Sequence, residues 1–427
     1  MSFRLPFPQT RQRSEILHRA ENEQIRTLML SAFRRVLRRR RALPVKGFSF
    51  GRPLVVLQSD DWGRVGIRDR EGWEELRSLG LNLGERNYDF YSLETAEDVE
   101  AIVSLFGRHR DSNGRPACLE MNFMMANVDF AKVIGDEFRQ IHLRSLADGL
   151  PEGWNRPALF DAYRRGISAG VLSPALHGTT HFCRPAAQRY LSDSGERGSY
   201  LRMLWRAGVP YIHWRMPWMG FEYSDPGENG RETFLNAEIQ SGMIADAVKT
   251  FTELFLKAPR SACAPGYRAD RSTHHAWAKC GVQVAQNGPA SNLPPHFEAH
   301  GDKNCEANIL HLYRTLDFEP SAGQNFSLEG CVRMAEDSFA RGIPAIISVH
   351  SINFHSTLKD FRSGTLTQLD RFLTVLESKY PDLLYVRDQD LYDLVDKGEF
   401  QSMQSRVRVP VTNRIFNGGP ITNVGKA

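Results

Sequence analysis

The chain is predicted to be an α/β protein, and three observations carry that reading. Short apolar runs of strand length recur along it, longer stretches with apolar residues at helical spacing lie between them, and turn residues separate the two kinds. Strand-like runs fall at 53–58, 118–123, 171–176, 261–264, 282–285 and 344–350. Helix-like runs fall near 95–107, 157–169, 184–206, 236–257, 271–280, 327–341 and 365–379. Strands alternating with helices imply βα units, a parallel sheet and right-handed crossovers. A late strand at 383–386 and a helix at 388–397 follow. Six to eight such units suit a barrel better than a short open sheet.

Length and composition agree. The 427 residues suffice for one large α/β barrel with extensions. Charged residues at 24% and hydrophobic ones at 41% are ordinary for a globular protein. A net charge of +4, much of it near the N-terminus, does not make a nucleic-acid surface. Cysteines at 118, 183, 263, 280, 305 and 331 include no CxxC knuckle. With no apolar signal region at the start and no run of 18 apolar residues, free thiols and a cytoplasmic location are expected.

Residues 11–41 read as one helix, with Ile16, Leu17, Ile25, Leu28, Met29, Ala32, Phe33, Val36 and Leu37 recurring at roughly helical spacing. It ends in "RRVLRRRR", with six arginines between 34 and 41. Arginines near a helix C-terminus suit the helix dipole. They also suit peripheral contact with an anionic lipid surface, here the inner membrane. The expected organisation is a basic helical extension at 1–48, a barrel at 53–395 and an extended, poorly ordered tail at 398–427. Within the barrel an aromatic-rich insertion near 207–235 is too long for an ordinary βα loop. It holds Tyr211, His213, Trp214, Trp218, Phe221 and Tyr223, side chains that stack on sugars or fill cores. The stretch "LYRTLDFEPS" (312–321) reads as a solvated turn carrying Asp317 and Glu319.

In parallel α/β architectures active sites gather at the carboxyl ends of strands. The first strand delivers Asp60 and Asp61 there, in "QSDDWG". The run at 171–176 delivers His177 and then His181, and the run at 261–264 delivers Pro265, Gly266, Tyr267 and Arg268. The run at 344–350 ends in His350, with His355 soon after. Taken singly, a DD pair suits a helix cap, and a strand-terminal histidine suits a structural role. Together they place carboxylates and imidazoles on one face. Two imidazoles and a carboxylate suit Zn²⁺ first, with Co, Ni, Mn or Fe as alternatives, and leave coordination positions open for water and substrate. A second carboxylate beside such a metal could take a proton from water, and a histidine opposite could protonate a leaving group.

The ordered set resembles the polysaccharide deacetylase family, the NodB-homology domain of carbohydrate esterases. "QSDDWG" is similar to that family's first motif, "HGTTH" (177–181) to its second, "CAPGYR" (263–268) more weakly to its third, and "SVH" (348–350) to its fifth. The stretch 241–287 reproduces the run into the third motif and the helix and strand after it. The resemblance is closest to the branch labelled polysaccharide (de)acetylase, whose members begin with a similar SDDWG. It implies a distorted, TIM-like (β/α)7-type barrel. It implies Asp60 as general base, Asp61, His177 and His181 as metal ligands, and His350 as general acid.

The implied reaction is metal-dependent hydrolysis of an N- or O-acetyl group from a saccharide or glycan precursor, with a metal-bound water as nucleophile. Hydrolysis of other C–N bonds, such as a cyclic amide, and non-catalytic sugar binding are the alternatives. Trp62, Pro265, Gly266, Tyr267, Arg268, Trp214, Trp218 and His355 are the candidate substrate contacts. Three departures stand out. Gly178 replaces the Ser/Thr of the second motif. Cys263 stands where the third has the arginine that orients the base, leaving Arg268 or Arg271 to replace it. "GVQVAQNG" offers Gln286 and Asn287 where the fourth motif has an acid, leaving His350 without its usual tuning partner.

Overall fold

A computed structural model describes residues 44–228, 230–290, 293–297, 309–402 and 405–416. The expected basic helix at 11–41 lies outside the described residues. Seven strands succeed one another around the core: β1 (Leu54–Trp62), β2 (Leu119–Phe123), β3 (Leu172–Leu176), β4 (Ser261–Cys263), β5 (Val284–Pro289), β6 (Leu310–Arg314, resuming as Leu316–Asp317) and β7 (Ala345–His350). Neighbours in this order pair in parallel, and β7 returns to β1. The two ends of the ladder meet only through β6. Its first part pairs with β5; after Thr315 the chain leaves β5 and pairs with β7. The Thr315 amide donates to Ile346 O at 2.9 Å, and its hydroxyl accepts from the Ile346 amide at 2.9 Å. Leu384–Tyr385 adds to β1 in parallel and His296–Phe297 to β6 antiparallel, and the result is the distorted β/α arrangement expected, without a continuous closed ladder.

Helices α1 (Ala96–Phe106), α2 (Leu159–Ser168), α3 (Ala237–Phe255), α4 (Arg271–Lys279), α5 (Leu328–Ala340) and α6 (Arg362–Lys379) flank it. Their sequences explain them. Thr95 caps α1 and Asp98 bonds back, a capping box, and Val99, Ile102 and Phe106 are buried. On α6, Leu369, Phe372, Leu373 and Leu376 recur at helical spacing and are buried. The expected helix at 184–206 is two helices, Arg184–Leu191 and Glu196–Arg206. "SDSG" interrupts them, and Asp193 accepts from the Gly195 amide, a local turn that competes with the helix.

Along the strands, alternate residues enter the barrel. At its lower end Leu54, Val56, Val284, Leu310, Leu312 and Ile346 form one apolar cluster. Above it stand Gln58, Glu120, Ser261 and Gln286, and at the upper, carboxyl end Asp60, Asn122, Cys263, Arg314 and Ser348. The lower end is plugged by helix α7 (Asp388–Lys397), whose Leu391 and Leu394 join the apolar cluster with Phe400, Val407 and Val409. The described part of the expected tail is ordered: Glu399–Gln401 pairs with Arg406–Arg408, and Val411–Phe416 pairs antiparallel with Val45–Phe50. The segment 312–321 is also corrected. Its first half is strand β6, which carries Arg314 and runs through Asp317, and a 3-10 turn begins at Pro320.

Candidate active site

Consecutive residues of a regular strand point to opposite faces, so Asp60 and Asp61 should not share one. A bulge resolves this. Ser59 pairs with Met121, yet Trp62 pairs with Phe123, so β1 carries one extra residue. Asp61 absorbs it with φ +75°, in the left-handed region that costs a non-glycine residue about 1–2 kcal/mol. The Tyr91 hydroxyl, at 2.6 Å, and the Ser351 hydroxyl, at 3.3 Å, donate to Asp61 O and hold the bulge.

Both carboxylates then face the barrel mouth with different partners. Arg314 clamps Asp60, Nη2 to Oδ1 at 2.6 Å and Nη1 to Oδ2 at 2.7 Å, and Asn122 Nδ2 donates to Oδ1 at 2.7 Å. Burial alone would raise the Asp60 carboxyl. The Arg314 charge outweighs it, with His177 and His350 adding, and holds Asp60 below the usual carboxylate range. Asp61 Oδ1 lies 3.3 Å from His181 Nε2 and 3.7 Å from His177 Nε2. His177 Nδ1 meets Cys263 O at 2.9 Å, an orientation that leaves Nε2 turned toward Asp61. Burial pushes the His181 imidazole well below its ordinary pKa, so it is neutral, as a ligand must be.

These three residues fit a divalent metal. Their ligand atoms lie within 4.8 Å of one another, and the set is two imidazoles and a carboxylate. Asp61 Oδ1 is buried and receives no hydrogen bond from any described residue, which fits a ligand oxygen.

His350 stands across the register from Asp60, its Nε2 3.9 Å from Asp60 Oδ2. Glu319 Oε1 meets His350 Nδ1 at 2.6 Å and accepts from its amide at 3.1 Å, while Asn353 donates to Oε2. Burial lowers the His350 pKa, but Glu319, then Asp60 and Asp61, raise it to about 9. It is therefore a cation at neutral pH.

The departures from the family motifs have local explanations. Neither Arg268 nor Arg271 replaces the expected arginine. Arg268 pairs with Glu232 at 2.9 Å, and Arg271 opens α4. Arg314 of β6 takes the position, its guanidinium 3.8 Å from the small Cys263 thiol. Glu319, not a residue of "GVQVAQNG", partners His350. Gly178 has φ +85°, and a Cβ there would lie 1.7 Å from Glu222 Oε2. Glu222 in turn accepts from the Thr179 amide at 2.8 Å and the Thr180 amide at 3.3 Å, ordering the loop between the two histidines.

The candidate substrate contacts divide. Trp62 is fully buried, bonded to Ser59 Oγ at 2.9 Å and stacked on Phe354, so it is core rather than sugar surface. His355 is also buried, 3.5 Å from Glu94, and Pro265 is buried. Trp218 packs on Tyr190, and Trp214 donates to Asp89 at 3.0 Å. Gly266 lies against Phe221, and the Tyr267 hydroxyl accepts from Arg314 at 2.6 Å. From the aromatic insertion Tyr211, His213 and Phe221 reach the site, each with its ring centroid 5.6 Å from that of His181. Tyr211 bonds His213 Nδ1 at 2.6 Å, and burial lowers the His213 pKa to about 4. Tyr88 faces the rings of both His213 and His350. Arg64, 3.5 Å from Asp61 Oδ2 and stacked on Tyr91, completes the wall.

No protein-family profile and no curated protein sequence matches the chain. Among solved structures it is similar to a candidate polysaccharide deacetylase from Mycobacterium smegmatis, at 10% identity over 80% of this chain and 90% of that one, with a TM-score of 0.42. It is also similar to a candidate glycoside hydrolase/deacetylase from Parabacteroides distasonis, at 12% identity over 85% and 74% of the chains, with a TM-score of 0.47. A family 4 carbohydrate esterase from Streptomyces lividans, solved with acetate, matches at 11% identity over 78% and 90% of the chains, with a TM-score of 0.31.

Proposed function

We propose that the protein is a metal-dependent hydrolase that removes an N- or O-acetyl group from a saccharide or glycan precursor. One observation carries this reading: Asp60 clamped by Arg314, and His350 charged by Glu319, stand beside an Asp61–His177–His181 ligand set. A divalent metal held by Asp61, His177 and His181, zinc first among the candidates, would polarise the acyl carbonyl and acidify a water. Asp60 accepts the proton of the attacking water as its oxygen bonds to the acyl carbon. His350 donates its Nε2 proton to the departing nitrogen or oxygen as the bond to the sugar breaks, giving acetate and a free amine or hydroxyl. A carboxylate held by a guanidinium is a weak base, which suits an acidified water better than an ordinary one.

A site without the arginine and the acid would favour the cyclic-amide alternative. Arg314 and Glu319 supply both groups. Free thiols at the described cysteines 118, 183, 263, 280 and 331 support a reducing compartment, and hence an intracellular precursor as substrate. No described helix is long and apolar enough to cross a membrane. Contact of the basic stretch 11–41 with anionic lipid would bring the enzyme to a lipid-linked substrate.

Metal analysis combined with acetate release over a panel of N- and O-acetylated saccharides tests this. Near one equivalent of metal, its loss in Asp61→Ala, and acetate release are expected. Full metal content in Asp61→Ala, or turnover of cyclic amides without acetate release, would reject it.

A further inference from the structure

Asp388 is the first residue of helix α7, at the plugged end of the barrel, and its burial is complete. It does not cap its own helix. Asp390 does that, accepting from the Arg387 amide at 2.9 Å. Instead the Asp388 carboxylate turns up into the barrel, where Oδ1 accepts from Gln58 Nε2 at 2.8 Å and Oδ2 accepts from Gln286 Nε2 at 2.7 Å and from the Ser261 hydroxyl. The other ends of both amides face the catalytic layer. Gln58 Oε1 accepts from Arg314 Nε at 3.2 Å. Gln286 Oε1 accepts from Arg314 Nη2 at 3.3 Å and from Asn122 Nδ2 at 2.7 Å. Arg314 and Asn122 are the two residues that hold Asp60.

A carboxylate only accepts hydrogen bonds, a guanidinium only donates them, and an amide does both in a sense set by its orientation. Two glutamines placed between Asp388 and Arg314 are satisfied in one orientation only. We propose that Asp388 is a positioning residue for the catalytic carboxylate: it fixes the amides of Gln58 and Gln286 so that their carbonyl oxygens restrain Arg314 and Asn122, and through them Asp60. The neighbouring Glu120 accepts from the Asp388 backbone amide at 3.1 Å. Burial, then the adjacent Asp388, raise Glu120 to about 8, and burial raises Asp388 as well; the three side-chain donors on Asp388, from Gln58, Ser261 and Gln286, favour the charge on Asp388. The catalytic consequence rests on the role proposed above for Asp60; the fixed amides do not.

Two readouts test this on the zinc-loaded full-length chain. In the first, NMR of glutamine-labelled protein follows exchange of the Gln58 and Gln286 side-chain amide protons. Both are expected to be protected in the wild type and to lose protection in Asp388→Asn. In the second, steady-state acetate release from hexa-N-acetylchitohexaose and from acetylxylan is measured. Asp388→Asn is expected to lower kcat about tenfold or more, with KM and zinc content within about twofold of wild type. Asp388→Asn/Gln286→Glu moves the acceptor one step up the same chain and is expected to restore most of kcat.

Amides that stay protected in Asp388→Asn, or a kcat within about twofold of wild type at full zinc content, overturn the proposal. A fall in thermal stability with kcat unchanged does the same. Should Asp388→Asn fail to fold, Gln58→Met removes one bridge while keeping volume. A kcat loss of about threefold or more supports the proposal, and an unchanged kcat overturns it. A wild type that turns over neither saccharide counts against the proposed function, while amide exchange still decides the role of Asp388.

Discussion

Asp60 and Asp61 are neighbours in the chain and opposites in their surroundings. Asp60 is saturated by Arg314 and Asn122, whereas Asp61 keeps a buried oxygen without a donor among the described residues. Asp61→Asn preserves shape and removes the charge that offsets a cation. It should bind zinc far more weakly, read by metal content after dialysis, and should lower kcat/KM by about 10³ or more. Arg314→Met should keep the metal and lower kcat by about 10²-fold, because Asp60 then loses its orientation. Metal content falling with activity in Arg314→Met would contradict the separation of the two carboxylates. His350 yields a pH prediction. In the proposed role of general acid it must be protonated, and its pKa in the folded chain is about 9, so activity should fall as pH rises through 9. Glu319→Gln removes the main cause of that rise and should move the alkaline limb down toward 6.5. The same raised pKa adds stability that is complete below the unfolded value of 6.5 and is lost as pH rises through 9. Urea unfolding of wild type and Glu319→Gln should therefore differ most below 6.5. Equal alkaline limbs in the two proteins would remove Glu319 from the mechanism.

At the scale of elements, the site is made by departures from regularity. The bulge in β1 turns two consecutive carboxylates inward, and the step at Thr315 lets β6 leave β5 for β7 just after Arg314. The loop from His177 to His181 closes over Glu222 because position 178 has no side chain. Gly178→Ala puts a Cβ on Glu222 Oε2 and leaves alanine at φ +85°, so the loop must move. A destabilisation of about 1–3 kcal/mol by chemical unfolding is expected, with weaker zinc binding as His177 and His181 shift. Unchanged stability would mean that Glu222 does not shape this loop. These elements also show what sequence reading reaches. The strand-end aspartates and histidines were legible because each followed an apolar run, and the structure brings Asp60, Asp61, His177, His181 and His350 to one mouth. Strand β6 was legible in principle, since Leu310, Leu312, Arg314, Leu316 and Phe318 alternate with period two and are all buried. The arginine in that row and the turn-like "DFEPS" after it masked the pattern. Glu222 and Asn122 gave no local signal, because their partners are far away in sequence.

The described residues form a barrel with the candidate site at one end and a stopper at the other. The stopper is built from the last part of the chain: α7, the Glu399–Gln401/Arg406–Arg408 pair, and Val411–Phe416 laid antiparallel on Val45–Phe50. Composition suggested a loose tail after 398, because the run is polar and poor in long apolar stretches. Its buried residues are spaced singly, Phe400, Val407, Val409 and Phe416 at 2–7% exposure, and a strand that buries one face needs no more. Each such side chain stabilises the fold by roughly 1.5–3 kcal/mol when fully buried. Three of them cover Leu54, Val56, Leu310 and Leu312, the apolar layer beneath Gln58, Gln286 and Asp388. Ending the chain at Gly398 would expose that layer and leave the edge of Val45–Phe50 unpaired, a template for association with other chains. The truncated protein is expected to unfold at a lower temperature than the full chain and to aggregate, read by calorimetry and light scattering. Its loss of activity should follow loss of folded protein, with metal content per folded molecule preserved while it survives. A truncation that keeps the thermal midpoint of the full chain would show that this segment is an appendage rather than the floor of the barrel.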